Sequence, residues 1–232
     1  MVEFNPDEPL VARTFAELAV ELHDAPSVEE TVDAVLQFAL RAVSCTYAGL
    51  VLAARGGRAE IGAVTDPLIE KLYRFQLDAG DGPLLDSLGE QIIIGVRDTG
   101  TDTRWPEWAA KARALGLGSV LHMPLAIGEQ TVGVLSLFST EPNAFGDDDL
   151  AIAHILARHA SVAVAHARHD ESMTQAVDAR KLVGQAMGIL MIKFDVDGDR
   201  AFAILKRYSQ DTNTKLRDVA QQVIDTRNLP AH

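Results

Sequence analysis

The chain has 232 residues, 47% of them hydrophobic and 23% charged, with a formal net charge of −12. That composition excludes disorder and fibrous repeats and is enough for one large or two small folded domains. The single cysteine, Cys45, excludes an internal disulfide and any CxxC metal or redox pair.

Charge is divided unevenly along the chain. Residues 1–173 carry a net −14 and residues 174–232 a net +2. An acidic front repels a polyanion at long range, so any nucleic acid is expected to meet the C-terminal segment. Even that segment is only mildly basic, which favours recognition of shape and a few bases over bulk attraction to phosphate. Apolar runs are interrupted short of about 18 residues, and the start Met-Val-Glu-Phe-Asn-Pro does not read as a leader. A cytoplasmic protein with no membrane partner is expected.

In chain order, residues 11–24 show a helical stripe of Phe15, Leu18, Ala19 and Leu22. Ser27, with Glu30 three residues on, has capping-box spacing for a second helix that runs to about Ser44. Thr46–Ala53 and Arg58–Val64 read as strands joined by the turn Arg55-Gly56-Gly57. Asp66-Pro67 opens a helix to about Leu77, with proline at the first helical position. Asp81-Gly82-Pro83 starts a short helix, Gln91–Gly95 a short strand, and Trp105–Leu115 a further helix. Ser119–Ile127 and Thr131–Ser139 form a hairpin. Val132–Phe138 is apolar on both faces, which suits a central strand covered on both sides. Asp147-Asp148-Asp149 suits a helix N-terminus, and the helix it opens has no breaker from Leu150 to Gly184. The fold class expected is α+β: an antiparallel sheet with flanking helices over residues 10–165, a long connecting helix over 147–194, then an all-α three-helix bundle over 174–228.

The C-terminal segment contains three helical patterns: Val183, Ala186, Met187, Leu190 and Phe194; Ala201, Phe202, Leu205 and Tyr208; and Leu216, Val219, Ala220, Val223 and Ile224. Short helices do not hold alone in water. They are expected to pack together, with Phe202 as the central anchor, whose truncation to alanine would cost about 3–5 kcal/mol. Asp211-Thr212-Asn213-Thr214 reads as a turn with N-cap chemistry.

The pieces Lys181-Leu-Val-Gly-Gln-Ala-Met-Gly-Ile-Leu-Met191, Ala201-Phe202, Leu205 and Asn213-Thr-Lys-Leu-Arg-Asp-Val-Ala220 fall in order at a spacing that resembles the ANTAR domain of transcription antitermination regulators. Upstream, Ala79-Gly-Asp-Gly-Pro-Leu-Leu-Asp86, Asp102-Thr-Arg-Trp-Pro106, Leu125-Ala-Ile-Gly-Glu-Gln-Thr-Val-Gly133 and Phe145-Gly-Asp-Asp-Asp149 resemble a GAF sensory domain. The resemblance implies a homodimer whose bundle binds structured RNA as paired hairpins and prevents terminator formation. It also implies a GAF pocket that takes a small-molecule ligand or serves dimerisation; no ligand is named by it, and no cofactor is required by the sequence.

Candidate RNA contacts are the polar residues off the apolar stripes: Arg180, Lys181, Gln185, Lys193, Arg207, Asn213, Thr214, Lys215 and Arg217. Unpaired RNA bases offer edges and faces to such side chains, and Asn213, Thr214 and Lys215 stand where free helix amides can also meet phosphate. The plainer alternative is a capped helix and a solvated face. A C-terminal segment that contacts a protein partner, or a DNA-binding helical regulator, stays open beside the RNA reading, although a strongly basic recognition helix is lacking.

Four of the seven histidines, His154, His159, His166 and His169, fall on the long helix. Ile152, Ile155, His159, Val162, His166, His169 and Met173 share a heptad seam, which could join two copies across stacked imidazoles or simply face solvent. His122 on a strand could face a pocket, and Cys45 reads as a structural thiol. No HExxH, GxSxG or P-loop spacing is present, so no catalytic residue is expected. Asp195, Asp197 and Asp199 alternate as in a calcium loop and Gly198 is present, but the loop is too short and lacks the distal Glu at position 12, so it reads as a turn and no metal site is expected.

Overall fold

The computed structural model describes residues 18–22, 25–54 and 58–229. Phe15 of the first expected helix and the turn Arg55-Gly56-Gly57 lie outside these residues; residues 18–22 are helical. The chain divides into two units, one ending at Arg168 and the other beginning at His169.

In the first unit, helix α1 (Val28–Ala42) begins at Ser27, whose hydroxyl accepts a hydrogen bond from the Glu30 amide at 3.1 Å, as its spacing predicts. Strands β1 (Tyr47–Ala53) and β2 (Ala59–Val64) follow. Asp66 caps helix α2 (Pro67–Ala79), and Pro67 fills its first position. Helix α3 (Pro83–Glu90), strand β3 (Ile94–Val96), helix α4 (Pro106–Ala114) and strands β4 (Ser119–Ile127) and β5 (Gln130–Ser139) complete the layers before the long helix α5 (Asp147–Phe194). Strand β3 starts three residues later than the expected Gln91. There Gln91 adopts φ 57°, and its side-chain amide donates to the Glu129 carbonyl at 2.8 Å and the Thr131 hydroxyl at 2.9 Å.

The five strands form one antiparallel sheet in the order β2-β1-β5-β4-β3. Strand β5 is central, which is why both of its faces are apolar. Leu135 and Leu137 face a cluster with Val35, Leu36 and Phe38 of α1 and Leu156 and Ala160 of α5. Val134 and Phe138 face the opposite cluster, with Ile69, Leu72 and Tyr73 of α2, Leu84 of α3 and Trp108 of α4. Gly133 lets β1 and β5 pair closely, since a Cβ there would strike the Val51 carbonyl. Two segments that carry the sensory-domain resemblance meet directly: the Trp105 indole N–H donates to the Asp86 carboxylate at 2.8 Å.

Among the described residues α5 is the one helix with a stretch long and apolar enough to cross a membrane by composition. Its first part is engaged otherwise: Ala153, Leu156, Ala157, Ala160 and Val164 are buried in the sheet cluster. On the heptad seam, Ile155, Val162 and Met173 are exposed, as are His159, His166 and His169.

The second unit is built from the end of α5, helix α6 (Gly198–Asp211) and helix α7 (Leu216–Thr226). Asp197 caps α6 by accepting from the Arg200 amide at 2.8 Å. Residues 195–197 and 212–215 make the two short connections between the helices. The core is Ala186, Leu190, Ala201, Leu205, Val219, Ala220 and Val223.

Phe202 is not in that core. It is 40% exposed, whereas Ala201 and Leu205 are fully buried. Adjacent helical residues lie about 100° apart, so only one of Ala201 and Phe202 can face the centre, and the alanine does. The anchor of the bundle is therefore Leu205. Leu205→Ala should destabilise the second unit by about 2–5 kcal/mol and Phe202→Ala by clearly less. Denaturant unfolding followed by a signal local to residues 169–229 checks this, and equal losses would contradict it.

Candidate nucleic-acid interface

The turn between α6 and α7 is built from short polar side chains. The Ser209 hydroxyl donates to the Thr214 carbonyl at 2.7 Å, and the Thr212 hydroxyl to the Tyr208 carbonyl at 2.8 Å. Asn213 takes the left-handed conformation, φ 50°, which its short polar side chain tolerates, and it is exposed. Thr214 is half-buried. Lys215 occupies the N-cap position of α7 and makes no side-chain cap. The sequence suggests capping by Asn213 or Thr214; in the structure the N-cap position falls on a lysine instead, and the first amides of α7 receive no side-chain cap.

The nine candidate residues divide by position. Asn213, Thr214, Lys215 and Arg217 stand together at the start of α7, and Arg207 lies on the last turns of α6 leading into them. Arg180, Lys181 and Gln185 flank Leu182 and Val183 of α5, which pack against the same cluster as Tyr208 and Leu216 on either side of that turn. Lys193 lies elsewhere. Its ammonium donates to the Arg227 carbonyl at 3.0 Å, beyond the far end of α7, and eleven helical residues put about 16 Å between the two ends. Arg180, Lys181, Gln185, Arg207, Asn213, Lys215 and Arg217 are all exposed.

Three of the cations hold local partners: Lys181 with Asp178 at 3.2 Å, Arg207 with Asp211 at 3.5 Å, and Arg217 with Asp218 at 3.1 Å. Such exposed pairs are worth about 0–1 kcal/mol, so an incoming phosphate can replace the carboxylate at little cost. Arg180 and Lys215 have no ion pair among the described residues. Lys206 on α6, also exposed and without an ion pair among the described residues, is missing from the set read off the sequence. Its position off the stripe of Ala201 and Leu205 was the available signal.

A second candidate site is internal to the first unit. His122 of β4 pairs in register with Ser136 of β5, and its Nδ1 lies 2.7 Å from the Ser136 hydroxyl. It is wholly buried beside Trp108 and Phe138, with ring centroids at 6.4 and 6.1 Å. The His122 Nε2, the Trp108 indole N–H and the Gln76 side-chain N–H group are all buried with no hydrogen-bond partner among the described residues. Gln76 spends its carbonyl on the Leu84 amide at 3.0 Å. Cys45 is half-buried; its thiol, 3.6 Å from the Ala39 carbonyl, is pushed up to about 11 by burial and is no ready nucleophile. No cluster of three metal-ligating side chains occurs among the described residues.

Comparison with known proteins gives two family matches. A GAF domain model matches residues 25–165, and an ANTAR domain model matches residues 171–224. Solved structures show the first of these folds. A domain of a putative two-component sensor histidine kinase protein from Sinorhizobium meliloti 1021 aligns at TM-score 0.55 and 21% identity, over 64% of this chain and 98% of that one. The GAF domain of a phosphoenolpyruvate-protein phosphotransferase from Acinetobacter aligns at 0.55 and 15% identity, over 70% and 98%. That of a phosphoenolpyruvate-protein phosphotransferase from Coxiella burnetii aligns at 0.55 and 19%, over 70% and 96%. No curated protein matches the chain.

Burial pushes the His122 imidazole down to about 3, from an ordinary value of 6.5. Below about pH 6.5 the unfolded chain binds a proton that the folded chain refuses, so this residue lowers stability as pH falls from about 6.5 toward 3 and not above that range. His122→Gln should flatten that part of the profile. Denaturant midpoints at pH 7 and pH 5 check it: the wild type should lose more than the variant, and parallel losses would contradict the assignment.

Proposed function

The chain belongs to the GAF domain family and carries an ANTAR domain behind it, and we propose that it is an RNA-binding regulator of transcription antitermination. The carrying observation is the ANTAR match over residues 171–224 combined with the bundle end that presents Arg180, Lys181, Asn213, Lys215 and Arg217 to solvent. These groups suit a folded RNA: an uncapped helix start for phosphate, cations held only by weak surface pairs, and amide side chains for exposed base edges. Gln185, Arg207 and Thr214 border the same end. Lys193 falls outside the proposed contact surface.

On this reading the protein acts in the cytoplasm on nascent transcripts, and binding of two adjacent hairpins prevents terminator formation. A homodimer supplies two bundles. The exposed Ile155 and Val162 on α5 support a joint between copies. The GAF domain senses a small molecule or holds the dimer; the buried layer of Gln76, Trp108 and His122, with unused polar atoms, supports an uncharged polar ligand there. No enzymatic step is assigned: both domains are sensory and regulatory in kind.

The test is binding of the full chain to RNA with two adjacent stem-loops against RNA with one. Linking two sites raises affinity by about 10²-fold or more when the geometry permits both to engage. The two-loop RNA should bind tighter by that order, and equal affinity would remove the paired-hairpin mechanism. Lys215→Gln should weaken binding similarly for all loop sequences and reduce the salt slope by about one.

A further inference from the structure

We propose that Phe202 is a stacking platform for an unpaired base of the RNA and that Lys206 holds the adjoining phosphate. The inference rests on the RNA-binding reading above and adds two residues to it, neither of which belongs to the polar set read from the sequence.

The placement follows from the helix period. Ala201 and Leu205 take the buried positions of α6, and Phe202 is displaced about 100° from Ala201 onto the flank. The residue is 40% exposed. One exposed phenylalanine is unremarkable on a protein surface; its surroundings make this one specific. Lys206 is four residues on, so the two Cβ atoms lie about 5–6 Å apart on one face. Lys206 is exposed and has no carboxylate partner among the described residues, unlike Arg207 next to it, which holds Asp211.

The neighbouring helix leaves room beside this flank. Gly198, one turn before Phe202, has the Met187 methyl 3.7 Å from its Cβ position, which brings the Met187 side of α5 against the Phe202 side of α6. On α5 that side continues through Gly184, three residues before Met187. A Cβ at Gly184 would meet nothing within 4 Å. A glycine inside a helix costs roughly 0.5–1 kcal/mol relative to alanine, and no contact within the bundle requires one at this position. A partner that approaches the α5 backbone closely gives it a use. Arg180, exposed and without an ion pair among the described residues, lies one turn further along the same side.

An aromatic face, two unpaired cations and an open glycine make a surface for a single-stranded nucleotide. A base lying on the ring gains contact over both planes, and its phosphate falls within reach of an ammonium one helical turn away. A protein partner would use the ring as an apolar anchor and would not distinguish Phe from Leu by the same measure. The proposal commits to the nucleobase, and the leucine variant separates the two.

The experiment uses the full chain and a hairpin RNA recovered by selection from a library with a randomised loop, remade with 2-aminopurine at each loop position in turn. Phe202→Leu keeps apolar bulk and removes the π face; Phe202→Tyr keeps the face. Wild type and Phe202→Tyr should quench 2-aminopurine differently from free RNA at one loop position, and Phe202→Leu should lose that signal and bind about 5- to 150-fold more weakly. Lys206→Gln should lower the salt slope by about one without abolishing the quench. Phe202→Leu binding as tightly as wild type, or a wild-type complex with no stacked loop position, would overturn the proposal while the RNA-binding reading stands. The second measurement holds even if a variant fails to fold. A wild-type chain that recovers no hairpin from the library removes both.

Discussion

Seven fully buried side chains, none larger than leucine, form the centre of the second unit: Ala186, Leu190, Ala201, Leu205, Val219, Ala220 and Val223, with partly buried groups such as Met187, Tyr208 and Leu216 packed against them. The rest of the output domain depends on how small that set is. Helices α6 and α7, 14 and 11 residues long, are too short to persist alone and depend on these contacts. Three of the seven are alanines and the others are leucine or valine, so the centre is filled without an aromatic ring. Larger apolar groups are therefore displaced outward. Tyr208 becomes half-buried and Phe202 exposed, and the cations remain at the ends and flanks. A bulkier core would have drawn the phenylalanine inward and left a smoother, more polar exterior. The constraint that stabilises the bundle is also what furnishes its surface chemistry.

Much of the fold was legible because local signals and burial agreed. Ser27 with Glu30, and Asp66 with Pro67, announced helix starts that the structure keeps. The two-faced apolar run Val132–Phe138 pointed to a central strand, and β5 is the third of five. The first shortfall, at β3, is one of register: Gln91 satisfies its side chain on the β4–β5 turn and enters a left-handed conformation, so the strand starts late. A contact 38 residues away leaves no trace in local periodicity.

The site was less legible, for two physical reasons. Ala201 and Phe202 are adjacent and both apolar, so the stripe admits either at the centre; hydrophobicity favours the larger residue and packing favours the smaller. Lys193 lies off the apolar stripe like the other cations, and helical periodicity carries no information on which end of the bundle a side chain reaches. Near the end of α5 the Lys193 ammonium meets the Arg227 carbonyl, past the end of α7 opposite to Lys215. Conversely, the Asn213–Arg217 cluster is contiguous in sequence, so one turn was enough to bring its members together.

The distribution of charge bears on how such a surface could discriminate. The acidic residues preceding position 174 outweigh the basic ones by fourteen, while the segment after it has a surplus of only two. Of its cations, Lys181, Arg207 and Arg217 are already matched by neighbouring carboxylates. A polyanion gains little from a field this weak, and counterion release supplies only a shallow dependence on salt. Affinity on the proposed reading must come from directed contacts that a uniform duplex does not offer: open helix amides, amide side chains and an exposed ring. A surface of that kind ignores most RNA and most DNA by default, because the charge that would hold them indiscriminately is absent. Weak bulk attraction then acts as the source of selectivity, and the acidic half of the chain adds to it by repelling any strand that the bundle does not specifically engage.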